Sequence, residues 1–206
     1  MAKLFLVRHG LSEWNKLGLW TGWTDVDLAE EGMEEARESG LLLKDEIIDK
    51  VYTSELKRTH QTFEKIKEGS GKHHLTNIVH KALSERHYGI HTGKNKWQVK
   101  EEIGEEEFQN IRRGWDIKIE GGETLKDVHA RVAPYYEENI KKDLLENKNV
   151  LVVAHGNTLR ALIKHLENLE ESQVSSVEVA TDEIHIYELD SQGKYISKEI
   201  KKGKIK

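Results

Sequence analysis

Two short apolar runs near opposite ends of the chain constrain its fold more than any other feature. Leu4-Phe5-Leu6-Val7 and Val150-Leu151-Val152-Val153-Ala154 are continuous rather than alternating, the pattern of strands buried on both faces. A sheet covered on both faces needs helices above and below it, and helical spacing fills the chain between the runs. Met33, Ala36, Gly40 and Leu43 share one helical face; Leu56, Phe63 and Ile66 share another. Leu125, Val128, Val132, Tyr135 and Ile140 form a third, and Leu159, Leu162, Ile163 and Leu166 a fourth. Val51-Tyr52-Thr53, Ile78-Val79 and Ile184 to Tyr187 read as further strands. This alternation predicts an α/β fold with a largely parallel sheet.

Local signals refine the outline. Thr124 to Asp127 has the form of a capping box, Pro134 predicts a kink in the helix that follows, and Ser54 is placed to cap the next helix. Lys94 to Arg113 reads as a polar helix in two pieces, and residues 191–206 as a basic C-terminal tail, frayed from Lys201. Residues 1–206 form one domain in this reading, without linkers or repeats.

Composition excludes several function classes. No apolar run exceeds five residues, far short of the roughly 20 a membrane-spanning helix needs. The absence of Cys removes disulfides and thiolate–metal sites, and a net charge of −5 argues against general nucleic-acid binding. Met-Ala-Lys opens directly into strand-like sequence, so the expectation is a soluble cytoplasmic protein. There is no phosphate-binding Gly-x4-Gly-Lys-Ser/Thr loop, no His-Glu-x-x-His and no Gly-x-Ser-x-Gly. His73-His74 lies in a polar loop and reads as solvated.

Both apolar runs end in a histidine turn: Arg8-His9-Gly10 and His155-Gly156-Asn157. Ligands of parallel sheets sit beyond the carboxyl ends of the strands, so both imidazoles can enter one pocket. Glycine after each His allows a tight turn and close approach of its N–H to a ligand, and the following helix N-terminus favours an anion. The chain has 8 Arg against 24 Lys, so each Arg is a candidate for bidentate anion binding. Arg8, Arg58, Arg86, Arg112 and Arg113 take that reading; Arg37, Arg131 and Arg160 are read as surface charges. Neutral imidazole beside arginines suits phosphoryl transfer without a metal, with the second ring nitrogen donating to a backbone carbonyl.

These residues carry a family resemblance. Arg8-His9-Gly10 with Ser12-Glu13-Trp14-Asn15 resembles the start of the cofactor-dependent phosphoglycerate mutase family, in the histidine phosphatase superfamily. The resemblance continues through Trp20 to Leu28, Thr53 to Arg58 with Thr62, and Glu85-Arg86-His87-Tyr88-Gly89 with Gly93, Asn95 and Lys96. Ile111-Arg112-Arg113, Gly122 to Asp127 and Ala154 to Arg160 complete it, so it spans Leu4 to Asp190. It implies a single-domain three-layer α/β/α sandwich. It implies an isomerase of glycolysis and gluconeogenesis that interconverts 3- and 2-phosphoglycerate through a phosphohistidine, primed by 2,3-bisphosphoglycerate and using no metal. His9 is then the nucleophile and Glu85 the acid/base. Arg8, Arg58, His155, Asn15 and the Gly156 N–H hold the transferring phosphoryl, while Ser12, Thr21, Gly22, Tyr88, Lys96, Arg112, Arg113 and Asn157 bind the rest of the substrate. The partners implied are small phosphoglycerates, and a homodimer is compatible with the reading. The alternative is a phosphatase of the same superfamily, in which water takes the phosphoryl from His9.

Four positions depart from the family pattern. Leu11 replaces a polar residue after Arg-His-Gly, Ala29 replaces a helix-capping Ser or Thr, and Thr181 to Ile184 replaces a Gly-x-Pro turn. Only Gly114 to Glu120 joins Arg113 to Gly121, where many mutases carry a long Pro-rich cover. The short link predicts a more open pocket and some hydrolysis, unless the tail closes over it.

Overall fold

The computed structural model describes residues 1–203. Strands β1 (Ala2–Arg8), β2 (Lys50–Thr53), β3 (Asn77–Val79), β4 (Val150–Ala154), β5 (Glu183–Leu189) and β6 (Tyr195–Lys202) form one sheet in the order β3-β2-β4-β1-β5-β6. Strands β3, β2, β4 and β1 run parallel; β5 and β6 add an antiparallel edge. The two apolar runs are therefore neighbours at the centre, paired from Leu4–Val150 to Arg8–Ala154.

Helices α1 (Glu13–Lys16), α2 (Glu30–Leu42), α3 (Lys57–Ser70), α4 (Lys96–Ile103) and α5 (Glu105–Arg113) precede β4, as do α6 (Leu125–Tyr135) and α7 (Lys141–Leu145); α8 (Gly156–Glu167) and α9 (Glu171–Val174) follow it. Side chains of the central strands alternate between two cores. Leu4, Leu6, Val150, Val152 and Ala154 pack with Val128 and Val132 of α6 and Leu159 and Leu162 of α8. Phe5, Val7, Leu151 and Val153 pack on the other face with Leu43 after α2 and with Phe63 and Ile66 of α3. This is the three-layer α/β/α sandwich expected from the sequence.

The capping box forms at Thr124: its hydroxyl accepts the Asp127 N–H and the Asp127 carboxylate accepts the Thr124 N–H. Pro134 does not break the helix. The chain passes on into a π-helical turn, Tyr136–Ile140, and continues as α7. Ala29 stands at the N-cap of α2 with no side-chain hydrogen bond.

Two expectations are corrected here. The predicted basic tail is an edge strand: β6 pairs with β5 from Tyr195–Leu189 to Lys202–Glu183, and its lysines bond Glu46, Glu167 and Glu183. A ladder needs only backbone groups, so Lys-rich sequence can form one, and such charge protects an outer edge. The last part of the predicted frayed segment, 204–206, lies outside the described residues. Ser54 is not the N-cap either, because α3 starts three residues later, at Lys57, with Leu56 as its N-cap.

Candidate active site

Because β1 and β4 are parallel neighbours, the residues following them emerge side by side at the carboxyl edge of the sheet. His9 and His155 meet there with ring centroids 5.0 Å apart at 61°. His9 Nδ1 lies 2.8 Å from the Gly10 carbonyl, the geometry of a donating Nδ1–H, which leaves Nε2 with its lone pair free. Burial pushes the His9 pKa well down, aided by Arg58 and Arg8, so the ring is neutral. His155 is fully buried and likewise held neutral, first by burial and then by Arg58. Its Nε2 lies 2.8 Å from Ser54 Oγ, and its Nδ1 has no protein partner.

The glycines after the histidines act differently from the expected tight turns, since neither has a positive φ. A Cβ on Gly10 would lie 2.1 Å from the Gly32 carbonyl, so Gly10 lets α2 approach the nucleophile turn. A Cβ on Gly156 would instead stand 3.6 Å from the Arg8 guanidinium and 3.8 Å from Glu85 Oε2, inside the pocket. Gly156 is also the first residue of α8, which directs a helix N-terminus at this point.

Arg58, on the first turn of α3, is almost fully buried and donates to the carbonyls of Thr24 and Gly22 at 3.0 and 2.8 Å. Burial draws its pKa down to about 10, which still leaves it charged at neutral pH. Its Nε, the Nε of Arg8, the Thr21 hydroxyl and His155 Nδ1 are all buried without a protein partner. Buried polar groups are normally satisfied, so four such atoms around one cleft mark a set built to meet an external polar ligand.

The cleft is lined by Arg8, His9, Asn15, Thr21, Gly22 and Arg58, by Glu85, Tyr88 and Lys96, and by Arg112, Arg113, Gly156 and Asn157. The structure thus brings together fourteen of the fifteen residues singled out in the sequence, counting His155 directly behind His9. Ser12 is the exception: it is fully buried, caps α1 and donates to Asn15 Oδ1 at 2.9 Å, so it orients Asn15 rather than lining the cleft. Leu11 leaves no gap, because its N–H reaches the Glu35 carboxylate at 2.9 Å. Among the arginines read as anion binders, Arg86 is a strut: it donates to the carbonyls of Glu123, Ile111 and Ile117.

Glu85 sits 9% exposed at the foot of the cleft, where its Oε1 accepts the N–H groups of Arg86 and Asn157. Its backbone carbonyl accepts Trp23 Nε1 and Arg131 Nη2, while Arg131 Nη1 also grips the Ala82 and Ser84 carbonyls. Arg131 is in turn paired with Glu123 at 2.8 Å. Farther out, Arg160 Nη1 donates to Asn157 Oδ1, whose amide donates to the Tyr88 hydroxyl. Lys96 is pulled down to about 8 by burial, then by Arg112 and Arg8.

Arg131 and Arg160 are therefore not surface charges, as the sequence suggested, whereas Arg37 is one, paired with Glu34 on an exposed face. Sequence reasoning also missed Trp20, Glu178 and Val179 in the cleft wall and Ser54 behind His155. The scarcity of Arg was the available signal for Arg131 and Arg160; nothing local marks Glu178. The link Gly114 to Glu120 folds into the wall, with Ile117 and Ile119 packed against the cluster of Trp20, Tyr88, Phe108 and Ile111.

Residues 4–200 match the model of the histidine phosphatase superfamily, branch 1. The chain is 44% identical over 199 residues to the 2,3-bisphosphoglycerate-dependent phosphoglycerate mutase of Parvibaculum lavamentivorans, covering 96% of this chain and 95% of that one. It is 45% identical to the phosphoglycerate mutase of Schizosaccharomyces pombe, covering 96% and 94%. Among solved structures, a mycobacterial glucosyl-3-phosphoglycerate phosphatase complexed with VO3 superposes with a TM-score of 0.82 at 24% identity, over 98% of both chains. That likeness speaks for the fold, while the closer sequence relatives speak for the branch. The chain belongs to the 2,3-bisphosphoglycerate-dependent phosphoglycerate mutases of the histidine phosphatase superfamily.

Proposed function

We propose that this protein interconverts 3- and 2-phosphoglycerate through phospho-His9. One observation carries the reading: the cleft joins a deep site of unpartnered donors around His9 to an outer cationic site of Lys96, Arg112, Arg113 and Arg160. Moving a phosphate between neighbouring oxygens requires holding two anionic groups at once, in either order, and one site would suffice for hydrolysis alone.

His9 Nε2 attacks phosphorus; the N–P bond forms as the ester P–O bond breaks. Arg8, Arg58, His155, Asn15 and the Gly156 N–H hold the three equatorial oxygens, supplying the charge that Mg²⁺ supplies elsewhere. Glu85 gives a proton to the departing oxygen. In the return step it takes the proton of the accepting hydroxyl, as that oxygen bonds phosphorus and the N–P bond breaks. Tyr88 and Asn157 fix the glycerate between the two sites, with Thr21 and the Gly22 backbone alongside. 2,3-Bisphosphoglycerate supplies the phosphoryl that charges His9, and the unpartnered donors fit such a polyanion. Turnover of 3-phosphoglycerate should be slight in primer-free protein, rise with trace 2,3-bisphosphoglycerate and be indifferent to EDTA. Activity independent of primer, or lost to EDTA and restored by Mg²⁺, contradicts this mechanism.

Lys96 gives a pH signature. With its pKa at about 8 in the free protein, it is charged below that pH and neutral above it. A polyanion favours the charged form, so binding above pH 8 must take up a proton and weakens by up to about tenfold per pH unit. Lys96→Arg should abolish this alkaline limb in the KM profile; an unchanged limb would assign it to another group.

Among the described residues no helix is long and apolar enough to cross a membrane. A cytoplasmic location, with metabolite-sized phosphates as partners, fits this function. The hydrolytic alternative is favoured only by the short link, and the P. lavamentivorans mutase, matched over 199 residues and 95% of its length, is about as short.

A further inference from the structure

The segment between α9 and β5 touches the arginines of the cleft at four points. The Ser175 carbonyl accepts from Arg113, the Val177 carbonyl from Arg160 at 2.9 Å and the Val179 carbonyl from Arg8 at 3.2 Å. The fourth contact is of another kind: the Glu178 carboxylate forms an ion pair with Arg113. Carbonyls leave a guanidinium its charge, but a carboxylate neutralises it.

Glu178 is one of two carboxylates in the cleft wall, facing six cationic side chains. The other, Glu85, is fixed by two backbone N–H groups at the foot of the cleft. Glu178 is different, because its side chain is 62% exposed, lies at the mouth and has Arg113 as its ionic partner. Its field also reaches Arg112 and Arg160. A ligand with one anionic group can occupy the deep site around Arg8, Arg58 and His155 without disturbing this pair. A second anionic group that reaches Arg113 must displace the Glu178 carboxylate.

We propose that Glu178 is a specificity-determining residue: by competing for Arg113 it limits how tightly the cleft holds bisphosphorylated ligands. The proposal rests on the mutase reading and deepens it. A transfer enzyme of this kind must hold a bisphosphorylated species long enough for it to turn over, yet not so tightly that the cleft is blocked. An exposed internal carboxylate sets that balance, because it returns to Arg113 as the outer anionic group leaves.

The test uses the full chain, E178Q, Arg113→Met and the double variant, reading the half-saturating concentration of 2,3-bisphosphoglycerate as primer. Glu178→Gln keeps size and polarity at an exposed position, so the fold is preserved. It should lower the half-saturating concentration about three- to tenfold, the range for removing one like charge from a partly solvated anion site. Inhibition by vanadate, which reports the deep site, should change less than about twofold. In the Arg113→Met background the effect of E178Q should shrink to less than about twofold, because the competition has lost its object and only the weaker field on Arg112 and Arg160 is left. Unchanged or weaker primer saturation in E178Q overturns the proposal. So does an equal gain with and without Arg113, which would assign the effect to the overall field. Should the wild-type chain need no primer, the mutase reading itself fails, a result separate from any E178Q comparison.

Discussion

His9→Ala should abolish both turnover and labelling by 2,3-bisphosphoglycerate, whereas His155→Ala should still label slowly. The two imidazoles lie 5.0 Å apart, both buried and both neutral, yet their hydrogen bonds divide their roles. At His9, Nδ1 is committed to the Gly10 carbonyl, so Nε2 is the atom left free for the nucleophilic role proposed for this residue. At His155, Nε2 is committed to Ser54 and Nδ1 is the free atom, in a ring fixed behind His9. Removing one preorganised group of that kind costs about 2–4 kcal/mol of transition-state stabilisation, a rate loss of about thirty- to a thousandfold. Removing the nucleophile leaves no covalent route at all. Acid-labile phosphate on purified His9→Ala protein would contradict the assignment.

The second large effect should come from Arg131→Met, at a residue that does not line the cleft. Arg131 holds the carbonyls of Ala82, Ser84 and Glu85 and pairs with Glu123, which itself accepts the His87 N–H. It is the clamp that fixes the backbone bearing Glu85. Losing it removes the ion-pair partner of a partly buried carboxylate and one donor from each of three carbonyls, a destabilisation of about 2–4 kcal/mol. Trp23 still reaches the Glu85 carbonyl, Thr158 the Ser84 carbonyl and the His87 N–H the Glu123 carboxylate. In protein that still folds, kcat should fall about ten- to a hundredfold with KM little changed, since the role proposed for Glu85 is proton transfer and not anion binding. Urea unfolding reads the first quantity and steady-state kinetics the second. An Arg131→Met enzyme with normal kcat would show that Glu85 needs no such support.

Arg131 also shows where the sequence stops being informative. Val128, Val132 and Tyr135 gave the buried face of α6 by spacing alone, and Thr124 to Asp127 gave its start, because both are local. Arg131 occupies an unremarkable position on that helix and acquires its role through carbonyls 46 to 49 residues away. Arg160 and Ser54 are of the same kind, as is Glu178, whose partner lies on α5. His9 and His155 were legible because they follow strands whose burial is written in continuous apolar runs, and Arg58 because Arg is scarce in this chain. The strand β6 was not, because almost all its side chains are exposed and its ladder is made by backbone groups. Ser12 shares the motif that singles out Asn15, but its hydroxyl caps α1 and donates to Asn15.

The link Gly114 to Glu120 bears on the balance between transfer and hydrolysis. Water must be kept from phospho-His9 while the bisphosphorylated species turns over, and covering segments do that. Here the link packs into the wall through Ile117 and Ile119, β6 lies along the sheet edge, and the segment carrying Glu178 and Val179 reaches the cleft arginines. The most direct test of the account is the product ratio from 3-phosphoglycerate with catalytic 2,3-bisphosphoglycerate, measuring 2-phosphoglycerate and free phosphate in the same sample. The account predicts that 2-phosphoglycerate dominates, with a minor but measurable release of phosphate; free phosphate as the sole product would contradict it.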